Sequence, residues 1–118
     1  RWALLEHKIL KGNLIDIHFD FLVEQEANCL TWKFVEIPRV DKGPVEIVRQ
    51  SNHRLIWLTR IEHELSSNRG FVKRLDHGTF TNLSLQSDLK DFQIILDGQL
   101  LNGLFIISGN LCSLTKDN

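Results

Sequence analysis

The sequence predicts an all-β domain, a compact barrel of about eight mainly antiparallel strands with little helix. Three observations carry this expectation: apolar residues recur with a period of two, turn residues separate the short apolar runs, and no stretch shows the sustained 3.6-residue period of a long amphipathic helix. At 118 residues the chain has the length of one domain, and residues 1–118 are read as a single unit. With 42% hydrophobic and 25% charged residues, it can bury a core without disulfides or a structural metal. A formal net charge of −1 excludes a polycation that grips a duplex by bulk charge, so any nucleic-acid function must rest on a local site.

Leu14 to Val23 places Ile15, Ile17, Phe19, Phe21 and Val23 on one side and Asp16, His18 and Asp20 on the other, the pattern of a half-buried strand. Leu30 to Val35 repeats it, and the polar Glu24–Asn28 between the two reads as a hairpin connection. Pro38 ends the second strand or marks an edge. After Asp41-Lys42-Gly43-Pro44, Val45–Val48 and Leu55–Leu58 are two further strand-like runs, separated by the polar Gln50-Ser51-Asn52. Glu62–Asn68 is compatible with a helical turn before a strand at Phe71–Leu75. Phe92–Leu96 and Leu101–Ile107 flank Asp97-Gly98-Gln99, and an Asp-Gly pair between apolar runs signals a hairpin. Short strands and turns in this number point to a closed or nearly closed barrel rather than a sandwich.

Cys29 and Cys112 are too few and too far apart for a metal knuckle or a disulfide framework, and two unpaired thiols suit an intracellular protein. Arg1–Leu5 is followed at once by Glu6, His7 and Lys8, so the apolar stretch of a signal peptide is missing, and no segment reaches the ~18 apolar residues of a membrane span. The expectation is a cytoplasmic protein without membrane contact.

On a strand, residues two apart share a face, so His18 and Asp20 stand with their β-carbons roughly 6–7 Å apart. An imidazole nitrogen and a carboxylate oxygen both ligate Mn²⁺, Zn²⁺ or Fe²⁺, and a third donor from a neighbouring strand would leave positions open for water or a phosphate oxygen. His7 is the candidate third ligand. The competing explanation is that Asp16, His18 and Asp20 are simply the wet side of a two-sided strand.

Read together, the segments carry a resemblance. His18-Phe19-Asp20-Phe21-Leu22-Val23-Glu24, followed by Trp32 and Pro38, resembles the His-Tyr-Asp-Phe-Arg-Leu-Glu…Ser-Trp…Pro pattern of the 3′-phosphoesterase domain of bacterial DNA ligase D. His53 falls where that family has a His. Gly70 to Phe80 is similar to its Gly-x-Val…Trp-Asp-x-Gly-Thr-Tyr segment, and Leu96 to Phe105 to its closing Leu-x-Gly-x-Lys-Leu-x-Gly-x-Phe hairpin. The resemblance implies an eight-stranded barrel that removes a terminal ribonucleoside or phosphate from DNA or RNA–DNA 3′ ends, beside a repair polymerase or ligase. It implies a divalent metal, Mn²⁺ or alternatively Zn²⁺, held by His7, His18 and Asp20, with His18, Asp20 and His53 catalytic. His7 matches the family's first His only if about five residues are inserted between Lys8 and Ile17, whereas His18 and Asp20 match directly.

The departures bear on the same site. The family's phosphate-gripping Arg is Leu22 here, its Tyr four residues after the later His is Trp57, and the acidic residue before that His is represented only by Ser51. Phosphate binding then falls to His53 together with Arg69 and Arg74, with Arg60 a further cation, all of which also read as ordinary solvated charge. On this alignment Leu22→Arg restores the clamp. The alternative is a catalytically degenerate relative that binds a metal, nucleic-acid ends or a repair partner. His63 lacks metalloprotease-type spacing and reads as a loop residue. His77 and Asp76 read as turn residues, with Asp76 bonding nearby amides. Trp2, Trp32 and Trp57 are candidates for base stacking, although an aromatic at strand spacing, Trp32 above all, is more simply core.

Overall fold

The longest alternating run becomes the longest strand, and the rest of the sheet is laid on either side of it. A computed structural model describes residues 1–65, 70–83 and 91–116. The strands are β1 (Trp2–Lys11), β2 (Leu14–Gln25), β3 (Asn28–Phe34), β4 (Val45–Arg54), β5 (Glu62–Glu64), β6 (Phe71–Gly78), β7 (Phe80–Asn82), β8 (Asp91–Asp97), β9 (Asn102–Ser108) and β10 (Leu111–Thr115). They form one antiparallel sheet in the order β5-β6-β1-β2-β3-β4-β10-β9-β8-β7.

All-β architecture is thus as expected, but the sheet has ten strands and does not close into an eight-stranded barrel. The extra strands are three-residue pieces, Glu62–Glu64 and Phe80–Asn82, too short to show a period. The Glu62–Asn68 helical turn does not form over Glu62–Glu64, and residues 66–69 lie outside the described residues. Gln50-Ser51-Asn52 does not end the strand either: β4 runs through it, Gln50 pairing with Thr31 and the register to β3 shifting before His53 pairs with Cys29, and Leu55–Leu58 is a 3₁₀ turn rather than a strand.

The sheet bends at β4, so that β1–β3 face β8–β10 across the main core. Phe21 lies at its centre, with ring centroids 4.7 Å from Phe105, 5.6 Å from Phe34, 6.0 Å from Trp2 and 6.2 Å from Trp32. Trp2 and Trp32 are therefore core. The other face of β1 and β2 is covered as well: Ala3, Leu5, Leu22, Cys29 and Val72 form a second apolar cluster beneath Leu58 of the 3₁₀ turn. Both thiols are free and buried, and burial pushes Cys29 up to about 11 and Cys112 up to about 12, which keeps them protonated and inert.

Side chains join the two halves of the sheet where the backbone ladder does not. Asp76, on β6 and 5% exposed, accepts backbone N–H bonds from His77 (3.0 Å), Gln99 (3.0 Å), Leu100 (2.8 Å) and Leu101 (2.9 Å). The expected bonding of nearby amides holds, but Asp76 makes it from within β6 and not from a turn, and its partners reach the β8–β9 turn as well. A Cβ on Gly98 would collide with the Asp76 carboxylate and the Trp2 ring, so only glycine fits in that turn. Beside it Asp97 accepts from the Thr79 hydroxyl (2.7 Å) and amide (2.8 Å), while the Trp2 indole N–H donates to the Thr79 carbonyl at 2.8 Å. Among the described residues, no helix is long and apolar enough to cross a membrane.

Removing the Asp76 carboxylate strands several N–H groups, so Asp76→Ala is expected to lower stability by about 3 kcal/mol in urea unfolding. A change under about 1 kcal/mol would show that the turn holds without it. The Thr79 hydroxyl is the main cause that holds Asp97 below its ordinary value of 3.8. A carboxylate depressed on folding contributes stability above its unfolded pKa and loses it as pH falls through the folded value. Thr79→Val should therefore flatten the loss of stability below about pH 4, read from denaturation midpoints across pH 2–6.

Candidate functional site

The β1–β2 ladder places Leu5 opposite Asp20 and His7 opposite His18. Directly paired residues share a face, and so do residues two apart, so all four side chains emerge on the outer face of the sheet. Leu5 and Leu22 go into the second apolar cluster, which leaves His7, His18 and Asp20 at its margin. None of the three is well exposed, their side chains being 16%, 14% and 10% accessible. The alternative of a wet strand face holds for exposed Asp16 but not for His18 and Asp20.

His7 Nδ1 lies 3.1 Å from His18 Nε2, one imidazole donating to the other. The rings meet edge to face at 4.6 Å. Asp20 presents one oxygen 3.5 Å from His18 Nε2 and the other 4.0 Å from His7 Nδ1. One donor atom from each residue lies within 4.8 Å of the others. Two donors on one ion with bonds of about 2.1 Å sit at most about 4.2 Å apart, so the nitrogen pair and the two nitrogen–oxygen pairs, which use different Asp20 oxygens, have ligand spacing, whereas the 4.8 Å spread of one atom per residue must close slightly around an ion. Burial, more than the opposing pull of the Asp20 carboxylate, lowers the His18 pKa below its usual 6.5, with His7 adding to the fall. His18 is therefore neutral at neutral pH, the form that offers a lone pair. The residues fit a divalent ion of the Mn²⁺, Zn²⁺ or Fe²⁺ kind.

His7 and Asp20 form one side of a cleft of about 320 Å³ whose other walls are Leu5, His53, Arg54, Trp57, Leu65 and Val72. The two histidines read as metal and phosphate residues from sequence are thus brought to a common space. His53 Nδ1 is 3.2 Å from the Ser51 carbonyl; when that nitrogen donates, Nε2 is the one that exchanges a proton. Trp57 is half-buried beneath the Arg60 guanidinium, 4.8 Å from the ring centre, and meets His63 edge to face at 5.4 Å. His63 is consequently a strand residue on β5 and not a loop residue. His77 is on β6, paired with Ala3, and not in a turn.

The cations selected from sequence are not in the cleft lining. Arg74 donates to the Leu58 carbonyl at 2.8 Å, which pins the 3₁₀ turn to β6. Arg60 rests on Trp57, and Arg69 lies outside the described residues. Arg54 lines the cleft but was invisible to strand alternation, which sends neighbouring residues to opposite faces. Here β4 ends at Arg54 and the chain enters the 3₁₀ turn, so His53 and Arg54 both reach the same space. A larger groove of about 630 Å³ along Leu10, Ile15 and Phe71 is mostly apolar, and its charged walls Lys8 and Glu64 have opposite signs, so size does not locate the chemistry.

Compared with known proteins, the chain matches no family model and no curated sequence. The residues of the site stand on their own geometry.

Leu22 is 0% exposed within the second cluster. An arginine there would bring an unpaired charge into apolar surroundings, so the clamp that the sequence alignment would restore has no room to form. Leu22→Arg is expected to destabilise the domain by about 3–5 kcal/mol in chemical denaturation. A variant as stable as the parent would mean that the cluster opens to solvent at this point.

Proposed function

We propose that this domain is a divalent-metal-dependent phosphoesterase acting on 3′ ends of DNA or RNA–DNA, of the kind found in bacterial DNA ligase D. The observation that carries the reading is the convergence of His7, His18 and Asp20, of which His7 and Asp20 line a cleft that His53 also lines. Two imidazoles and one carboxylate on adjacent strands suit Mn²⁺, with Zn²⁺ the alternative, and leave positions open. A bound divalent ion would supply Lewis acidity to a phosphoryl oxygen and to an attacking water. The chain's own residues do the rest. Asp20 carries the negative charge of the ligand set, beside His18 on its own strand and His7 across the ladder. His53 donates a hydrogen bond to a non-bridging phosphate oxygen or gives a proton to the leaving oxygen. The second apolar cluster keeps water from one side of the ligand set, which strengthens each charge interaction there.

This reading includes a repair polymerase or ligase as partner and a cytoplasmic location, which two buried free thiols suit. A second reading, a catalytically degenerate relative that binds metal, nucleic-acid ends or a repair partner without turnover, is favoured by two observations: apolar Leu22 is buried in the second cluster and Arg74 is spent on the Leu58 carbonyl.

Calorimetric titration with Mn²⁺ and phosphate release from a 3′-phosphorylated primer–template test both. The phosphoesterase reading expects one binding site, metal-dependent release, and loss of both in His18→Ala. Metal or end binding without release selects the degenerate relative. A protein that neither binds Mn²⁺ nor releases phosphate overturns the metal-site reading.

A further inference from the structure

We propose that Arg54 is the anion clamp of this cleft, its guanidinium gripping the terminal phosphate of a 3′-phosphorylated nucleic-acid end. The proposal rests on the reading of the cleft as a site for such ends, and it names the residue that selects the phosphate.

Among the described residues, the other arginines are all committed. Arg1 pairs with Glu24 at 2.9 Å, and Arg39 with Asp41 at 3.2 Å. Arg49 donates to the Thr31 and Gln50 carbonyls and lies 5.1 Å from the centre of the Trp32 ring. Arg74 holds Leu58, and Arg60 covers Trp57. Among the described residues the Arg54 side chain makes no hydrogen bond, ion pair or ring contact, and it lines the cleft beside His7, Asp20 and His53. Its backbone is fixed by pairing with Asn28 at the end of β4, so the side chain is an uncommitted cation on an anchored stem. Lys33 is opposite Asp20 in the ladder, yet it is not among the residues that line the cleft.

Charge arithmetic gives the need. The ligand set contributes two imidazoles and one carboxylate, so a divalent ion leaves a single net positive charge to meet a phosphate monoester of roughly −1.5 to −2. One further cation balances the site. A guanidinium also presents two parallel N–H groups that match two phosphate oxygens, which neither His53 nor a lysine does. Arg54 enters the cleft from the end of β4, on the wall that also carries His53.

The test measures binding without divalent metal, where the clamp acts alone, at one fixed salt concentration. The probes are the same primer–template carrying either a 3′-phosphate or a 3′-hydroxyl. Wild type is expected to prefer the phosphorylated end, and Arg54→Ala to weaken that end about 10- to 100-fold, with binding of the hydroxyl end changed less than about twofold. Arg54→Lys should recover part of the preference, and Arg54→Gln serves as the neutral variant if the alanine protein melts early. A preference that survives in both neutral variants, or is absent from wild type, overturns the clamp. Turnover with Mn²⁺ is scored separately. Preference without turnover upholds the clamp and sinks the phosphoesterase reading; turnover without preference does the reverse.

Discussion

The fold depends on one carboxylate. A sheet that bends over its own core but does not close must be held along its seam, and Asp76 does this by collecting amides from its own strand and from the β8–β9 turn. A carboxylate that accepts from several N–H donors is among the stronger polar arrangements available to a buried group. Its neighbours depend on it in turn: Gly98 is small because the carboxylate and Trp2 occupy the space a side chain would need, and Trp2 is fixed at the head of β1 through Thr79. The strand that carries His7 is thereby anchored at the end remote from the site.

From that anchor the ladder does the positioning. β2 is covered on both faces along its second half, by the aromatic core on one side and by the 3₁₀ turn on the other. A strand buried on both sides cannot slip by one residue without exchanging its two sets of side chains. The pairing of His7 with His18 and of Leu5 with Asp20 is therefore fixed by apolar contacts made elsewhere. The site inherits its geometry from packing in which its own residues take little part.

Much of this was legible in the residues. The period-two runs at Leu14–Val23 and Leu30–Val35 gave β2 and β3, Asp97-Gly98 marked the β8–β9 turn, and His18-x-Asp20 announced a shared face. What escaped has physical causes. A polar run inside β4 imitates a loop because its side chains are largely exposed and the ladder to β3 shifts register there, and Leu55–Leu58 imitates a strand because apolar content alone does not separate a strand from a 3₁₀ turn. The open seam was hidden because side chains, not backbone, bridge it. Arg54 escaped because a turn breaks the alternation on which the strand reading relies, and Arg74 looked available because its acceptor is a backbone carbonyl that no sequence pattern reveals.

An open sheet presents two rows of unpaired backbone groups, and such rows invite other chains to add on. Here the outermost strands, β5 and β7, are three residues long. Each offers a newcomer only one or two ladder bonds, and β5 adds the negative charges of Glu62 and Glu64. At these two margins, among the described residues, brevity leaves a newcomer little backbone to pair with.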